Sequence, residues 1–275
     1  MLYPIVTFIG AGNMASAIFK GLIKQGHPAD RIRVSNRSQG KLDALKQEFP
    51  TLHVSTNNAE AVADADVVVL AVKPQMMEDM LKPLTTEVAG FDQKLFVSVA
   101  AGISIARLQS MLNGAKRIVR TMPNTPSLIG LGMTGLFAQI DTSDADKNLA
   151  DSLMAAVGKT AWVSQEAEIN QVIAAAGSSP AYFFMFMNAM QKSLEGMGMD
   201  SQTARKLVEQ AAIGSSQLAA HQSDKTLTEL TQQVTSKGGT TAQAVATFEN
   251  GDLAGLVDQA MQACVARAEE MEKLL

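Results

Sequence analysis

Two glycine-centred stretches have the residue types and spacing to do chemistry. The first is Gly10-Ala11-Gly12-Asn13-Met14-Ala15, a G-x-G-x-x-A run. Gly10 permits a tight turn, Gly12 lets backbone approach a pyrophosphate, and Ala15 is small enough for a helix to pack on a strand. Phosphates placed there meet free N–H groups at the positive end of a helix dipole. The motif alone is weak. It gains specificity from the apolar run Ile5–Ile9 before it and the helical pattern Ala15–Gln25 after it. The second stretch is Ser236-Lys237-Gly238-Gly239-Thr240-Thr241, ahead of a helix that runs to about Glu249. Paired glycines and two threonines at a helix start expose several N–H groups and two hydroxyls, which suits a small anion such as a carboxylate. On spacing alone, a capped helix-to-helix turn accounts for it equally well.

The cofactor type is set by the end of the second strand, Val34-Ser35-Asn36-Arg37-Ser38. A site for NAD places a carboxylate there to bind the ribose 2′-hydroxyl. None of these residues is acidic, and Asn36, Arg37 and Ser38 suit a 2′-phosphate through charge-assisted hydrogen bonds. The expected cofactor is therefore NADPH, with use of NADH left open. Three further loops follow strands and fall on the same row: Ala71-Val72-Lys73-Pro74, Ala100-Ala101-Gly102 and Met122-Pro123-Asn124-Thr125-Pro126. Ligands of open parallel sheets bind at such carboxyl ends. Cofactor contacts are expected from these loops, including Asn124, and from Asn57 after the third strand.

Those positions require a particular architecture. Strand-like runs at 5–9, 32–36, 53–55, 67–72, 95–99 and 117–122 alternate with helical segments at 15–25, 41–49, 58–63 and 104–112. Runs such as Val67–Val72 are apolar on both alternating faces, as in a parallel sheet covered on both sides. The fold expected is α/β: a Rossmann-type, NADP-binding domain over 1–164, then an all-helical dimerisation and substrate domain over 165–275. Two glycine-rich breaks, at Gly196–Gly198 and Lys237–Gly239, interrupt the helical part. Its most apolar stretch, Val172–Met190, reads as a buried helix broken at Ser179-Pro180. It is too interrupted for a membrane span.

Composition narrows the classes further. A hydrophobic fraction of 47% across 275 residues can bury a sizeable core. A net charge of -4 argues against a general nucleic-acid binder. Cys264 is the single cysteine, so it makes neither an intrachain disulfide nor a zinc site, and it reads as packing. No metal site and no membrane association are expected. The first residues lead straight into a strand, unlike a secretory signal, so a cytoplasmic or other reducing setting is the default. His27, His53 and His221 read as loop or surface residues, and none is assigned as an acid.

Taken together, the motifs resemble the pyrroline-5-carboxylate reductases along essentially the whole chain. The resemblance rests on Phe8–Met14, Ala71–Pro74, Val99–Gly102, Arg120–Pro126, Gly177-Ser-Ser-Pro-Ala-Tyr182 and, most specifically, Ser236–Thr241. It implies reduction of a cyclic imine by NADPH to L-proline, the last step of proline biosynthesis. It also implies a helical bundle interleaved with a partner subunit, giving a homodimer or a higher assembly. Ser236 and the N–H groups of Gly239 and Thr240 would hold the substrate carboxylate, and the Thr241 hydroxyl would face the ring nitrogen. One departure is Lys237, where the family has proline. It adds charge and freedom to the loop, and it aids carboxylate binding only if it turns inward. Two rival readings are a reductase of 3-hydroxy acids and a non-catalytic NADP-binding protein. The first would need a helical lysine such as Lys192 or Lys206, neither of which sits in a matching motif. The second would have no use for the Ser236–Thr241 loop.

Overall fold

The computed structural model describes residues 3–274. In chain order the first elements are β1 (Val6–Ile9), α1 (Asn13–Lys24), β2 (Ile32–Ser35), α2 (Gln39–Glu48), β3 (His53–Ser55), α3 (Asn58–Val62), β4 (Val67–Leu70) and α4 (Met77–Glu87). They continue with β5 (Leu95–Ser98), α5 (Ile105–Met111), β6 (Ile118–Met122), β7 (Gly132–Ala138), α6 (Asp144–Ala155), β8 (Gly158–Trp162) and α7 (Glu168–Val172). A single π-helical turn, Ile173–Gly177, follows α7.

The eight strands form one sheet in the order β3-β2-β1-β4-β5-β6-β7-β8. The first six strands run parallel, with Val6 opposite Ile32 on one side and Val67 on the other. β7 turns antiparallel to β6, and β8 runs parallel to β7. Chain order reverses at β1, which lies between β2 and β4. The crevice outside the carboxyl end of β1 is thus a topological switch point, the place where such sheets bind ligands.

Alternation along β4 shows how this sheet is held. Val67 and Val69 join a core with Phe8, Ile18, Phe19 and Leu153 on one face. Val68 and Leu70 join Met77, Leu81, Phe96 and Leu108 on the other. All four β4 side chains are fully buried, and the apolar area they remove from water stabilises a sheet covered by helices on both sides.

Three elements of this domain are not legible in the pattern, while β8 ends at Trp162, where the strand signal of the sequence stops. β7 contains Gly132 and Gly135, which dilute its strand signal. α4 carries Pro83 in its interior, and α6 is rich in aspartate.

By packing, the chain divides into two compact units. One runs up to Ser178 and regains the chain from Cys264 onward; the other is Ser179–Ala263. The second unit contains α8 (Ser179–Gly196), α9 (Ser201–His221), α10 (Leu227–Gln233), α11 (Thr240–Asn250) and the first part of α12 (Leu253–Leu274). Asp200 caps α9, and Thr226 with Glu229 forms a capping box on α10. Besides the two glycine-rich breaks there is one at 222–226, which helical periodicity does not reveal, and one at Gly251-Asp252, where the helix expected to run to about Glu249 ends.

One expectation is corrected. The apolar helix entered at Ser179-Pro180 is not buried within the chain: α8 has no buried residue, and Phe183, Phe184 and Met185 are 64%, 62% and 73% exposed. Its apolar pattern therefore reports a face that this chain's own core does not cover. Among the described residues no helix is long and apolar enough to cross a membrane.

Candidate active site

The carboxyl ends of the parallel strands bring the expected nucleotide residues into one row. Gly10 follows β1 with φ +106, a left-handed conformation, and a Cβ there would stand 2.5 Å from the Ala71 carbonyl oxygen. Only glycine fits both demands. The Gly10 N–H donates to the Ser35 carbonyl at 2.8 Å, and the Ala71 N–H donates to Ile9, so the loops after β1, β2 and β4 are tied together. Next to them, the space beside Gly12 is open to 4 Å among the described residues. Ala15 is fully buried and lets α1 lie against the sheet.

Gly12 is the N-cap of α1, with no side-chain cap and no acidic residue in the first turn. The first N–H groups of α1, on Asn13, Met14 and Ala15, therefore keep their capacity for an anion. Beyond β2, Asn36 Oδ1 accepts from the Ala11 N–H at 3.4 Å and Asn36 Nδ2 donates to the Ser38 carbonyl. Arg37 is exposed, with its guanidinium 3.7 Å from the Met76 sulfur, so it stands beside the turn Pro74–Met76 that continues Val72-Lys73. These residues fit a 2′-phosphorylated dinucleotide: glycine turn, uncapped helix start, small residues at Ala71 and Ala101, and a cation beyond β2.

Three expected contacts carry structural duties. Asn57 is the N-cap of α3, its Oδ1 accepting from the Ala59 and Glu60 N–H groups, which leaves only its amide nitrogen for a ligand. Ala100 packs its methyl into the core, so any contact there is through backbone. Asn124 is buried and spends its amide inward, on Met133 and Ala176.

Arg120, in the middle of β6, is 1% exposed, and nothing in the Arg120–Pro126 motif itself marks it as a site residue. Its guanidinium donates to Glu166 at 3.0 Å and to Glu272. Glu166 also accepts the Ile105 N–H at 2.7 Å, which fixes the start of α5 beside the Ala100–Gly102 loop. A charged residue in a mid-strand position was the available signal.

The second stretch lies wholly in the helical unit. Gly238 has φ +73, and Gly239 is the N-cap of α11, with no side-chain cap and no acid in the first turn. The Gly239 N–H donates to the Ser236 carbonyl at 3.0 Å, closing a turn that brings Ser236 against the helix start. A Cβ on Gly239 would stand 2.5 Å from Ser236 Oγ. Ser236, Thr240 and Thr241 are exposed, as is Lys237. Five other helices are capped by a side chain: Asn57 on α3, Ser104 on α5, Ser143 on α6, Asp200 on α9 and Thr226 on α10. α1 and α11 instead begin at glycine, where the N–H groups stay available.

No cluster of three or more His, Cys, Asp or Glu side chains able to hold a metal occurs among the described residues. Cys264 lies 3.3 Å from Ser178 Oγ and is half-buried. His27 is buried in the loop after α1 against Tyr3, and burial holds its imidazole below the ordinary 6.5.

Known proteins match this arrangement along the chain. The family described as "Pyrroline-5-carboxylate reductase dimerisation" matches residues 166–271, and "NADP oxidoreductase coenzyme F420-dependent" matches residues 5–102. A pyrroline-5-carboxylate reductase of Vibrio alginolyticus is 51% identical, covering 100% of both chains. Its counterpart in Haemophilus influenzae is 46% identical, again over 100% of both. The solved structure of a pyrroline-5-carboxylate reductase from Coxiella burnetii superposes with a TM-score of 0.92 at 41% identity, covering 98% of this chain and 99% of that one.

Proposed function

The chain belongs to the pyrroline-5-carboxylate reductase family, and from that premise we propose how its own residues divide the work. The protein is an NADP-dependent oxidoreductase that reduces a C=N bond, converting pyrroline-5-carboxylate to proline in proline biosynthesis. NADPH, when bound, supplies the hydride for the imine carbon.

In our reading the pyrophosphate lies on Gly10, Ala11, Gly12, Asn13 and Met14. Asn36, Arg37 and Ser38 hold the 2′-phosphate. Asn57, Ala71, Val72, Lys73, Pro74, Ala100 and Ala101 line the remainder. The substrate carboxylate sits on the Ser236 hydroxyl and the Thr240 N–H; Gly239, expected to add its own N–H, instead donates it to the Ser236 carbonyl and serves by keeping the helix start free of a side chain. The Thr241 hydroxyl orients the ring nitrogen by hydrogen bonding. A protonated imine accepts hydride far better than a neutral one. Its proton comes from solution before binding or through a hydroxyl relay at Thr241.

One observation carries this division: α1 and α11 both start at glycine with uncapped N–H groups and no acid in the first turn. Each suits one anionic group, a pyrophosphate at α1 and a small carboxylate at α11. Holding donor and acceptor in one geometry supplies much of the rate. The test is steady-state oxidation of NADPH by the wild-type protein and by Thr241→Ala. The reading requires a fall in kcat or a rise in KM for the imine; unchanged constants would remove Thr241 from the site.

The chain carries a dimerisation domain. We further propose that self-association occurs through the helical unit, as a homodimer or a larger assembly, and that the Ser236–Thr241 loop of one subunit serves the cofactor of its partner. The exposed apolar side chains of α8 and α12, among them Phe183, Phe184, Met185, Leu256 and Val257, support such a contact. Cytoplasmic residence belongs to the same reading, in keeping with the free thiol of Cys264.

A further inference from the structure

We propose that Asn124 is a positioning residue for the reaction: it fixes the loop after β6 against the π-turn, and it does not bind the cofactor through its side chain. This rests on the reductase reading above. Asn124 is 8% exposed. Its Oδ1 accepts the Met133 N–H at 2.9 Å, and its Nδ2 donates to the Ala176 carbonyl at 3.0 Å. Both ends of the amide are thus spent on backbone, one at the start of β7 and one in the π-turn.

Two further contacts bind the same segments. A Cβ on Gly177 would stand 2.7 Å from Met122 Cε, and one on Gly135 would stand 2.6 Å from a Val172 methyl. β7 therefore meets α7 with no room for a side chain at Gly135, and a methyl at Gly177 would have to turn the end of the Met122 side chain aside. π-turns often mark functional sites. This one is braced against the loop that ends β6, on the row where the nucleotide contacts gather. Pro123 and Pro126 stiffen that loop along its length. The Asn124 amide sets its position against the sheet. Misplacement of reacting groups by about 1 Å costs on the order of a hundredfold in rate, so a brace at this point acts on turnover.

β7, the turn Thr125–Ile129 and the π-turn contain no ionisable side chain, whereas exposed Lys159 on β8 is the register partner of Met133, and Lys20 and Lys24 of α1 line the cleft beside Ser127–Gly130. Arg120 on β6 is paired with Glu166 and Glu272, and Glu168 on α7 accepts from the Ser164 and Gln165 N–H groups.

The test is Asn124→Asp. An ionised aspartate keeps the acceptor for Met133 but cannot donate to Ala176; the protonated acid can do both. We expect kcat for the imine to fall roughly ten- to a hundredfold at neutral pH, with the Kd for NADPH held within about twofold. We also expect kcat of the variant, relative to wild type at the same pH, to recover as the pH is lowered through the carboxyl ionisation. Raised Kd for NADPH with kcat intact would overturn the proposal in favour of direct cofactor contact. Unchanged kcat per folded molecule, with only a lowered Tm, would also overturn it and leave a fold staple. If the aspartate variant does not fold, Gly177→Ala tests the same brace from the other side. It should lower kcat without altering NADPH binding if the Met122 side chain cannot turn aside, so Asn124→Gln, which keeps both amide groups on a longer stem, is measured beside it: a lowered kcat with unchanged Kd for NADPH in Asn124→Gln supports the proposal, and normal kcat there would overturn it. Absence of imine-dependent oxidation by the wild-type protein would instead fail the reductase reading itself.

Discussion

Arg120 and Glu272 stand 152 positions apart in the chain and share a charged hydrogen bond, with the guanidinium 1% exposed and the carboxylate 24%. Glu272 also accepts from Asn170, and Arg120 also holds Glu166. The arrangement fastens the end of α12 to β6 and to α7. Removing one partner of such a buried pair leaves charge without compensation. Arg120→Met is expected to cost about 3–5 kcal/mol of stability. Glu272→Gln, which keeps a hydrogen-bonding shape, should cost about 1–3 kcal/mol. Urea midpoints measured at low and high salt check both values. A strong salt dependence would show that the pair behaves as an exposed one.

Arg37 should decide between the two nicotinamide cofactors. A hydrogen bond to a charged group contributes about 1.5–3 kcal/mol, which corresponds to a roughly ten- to hundredfold change in affinity. Arg37→Ala is expected to raise KM for NADPH by that factor and to leave KM for NADH nearly unchanged. Equal effects on both cofactors would place the guanidinium away from the 2′-phosphate.

Gly239 has no room for a side chain, because a Cβ would meet Ser236 Oγ at 2.5 Å and the Ser236 carbonyl oxygen at 3.1 Å. Gly239→Ala must therefore displace the serine hydroxyl or the turn. KM for the imine should rise by about tenfold or more, from loss of a charge-assisted hydrogen bond. Binding of NADPH alone, followed by fluorescence, should not change. Loss of NADPH binding would mean that the turn supports the fold rather than the substrate.

His27 introduces a pH dependence. Burial lowers its ionisation below 6.5; the hydrogen bond with Pro4 backbone opposes this, and the charge of Arg31 adds to it. The unfolded chain therefore takes up the proton more readily than the native one. Stability is retained above 6.5 and is lost as the pH falls from there towards the native ionisation. In His27→Gln that part of the acid limb should flatten. Thermal melts between neutral and mildly acid pH compare the two proteins, and parallel curves would exclude His27 as the source.

Much of the nucleotide half could be read from sequence because its signals are local. Gly10 and Gly12 sit directly between a strand and a helix, and His53–Ser55 and the Ser104 cap fall where the pattern placed them. β7 was not legible, since Gly135 is required by the approach of Val172 and weakens the strand signal at the same point. The inward turn of the Asn124 amide depends on Ala176, far along the chain, and no local pattern reports it. The apolar character of α8 was plain, but composition does not say what covers a face. Nor does any local feature near Cys264 reveal that the chain there returns to the first unit.

That return has a consequence for synthesis. A chain growing from its amino end completes all eight strands well before residues 264–274 exist. The whole helical unit must be made in between. During that interval Arg120 has Glu166 but not Glu272, and Asn170 lacks its carboxylate partner as well. The nascent dinucleotide unit therefore waits with its β6 cation half-compensated, and its final closure is timed by the last turns of α12.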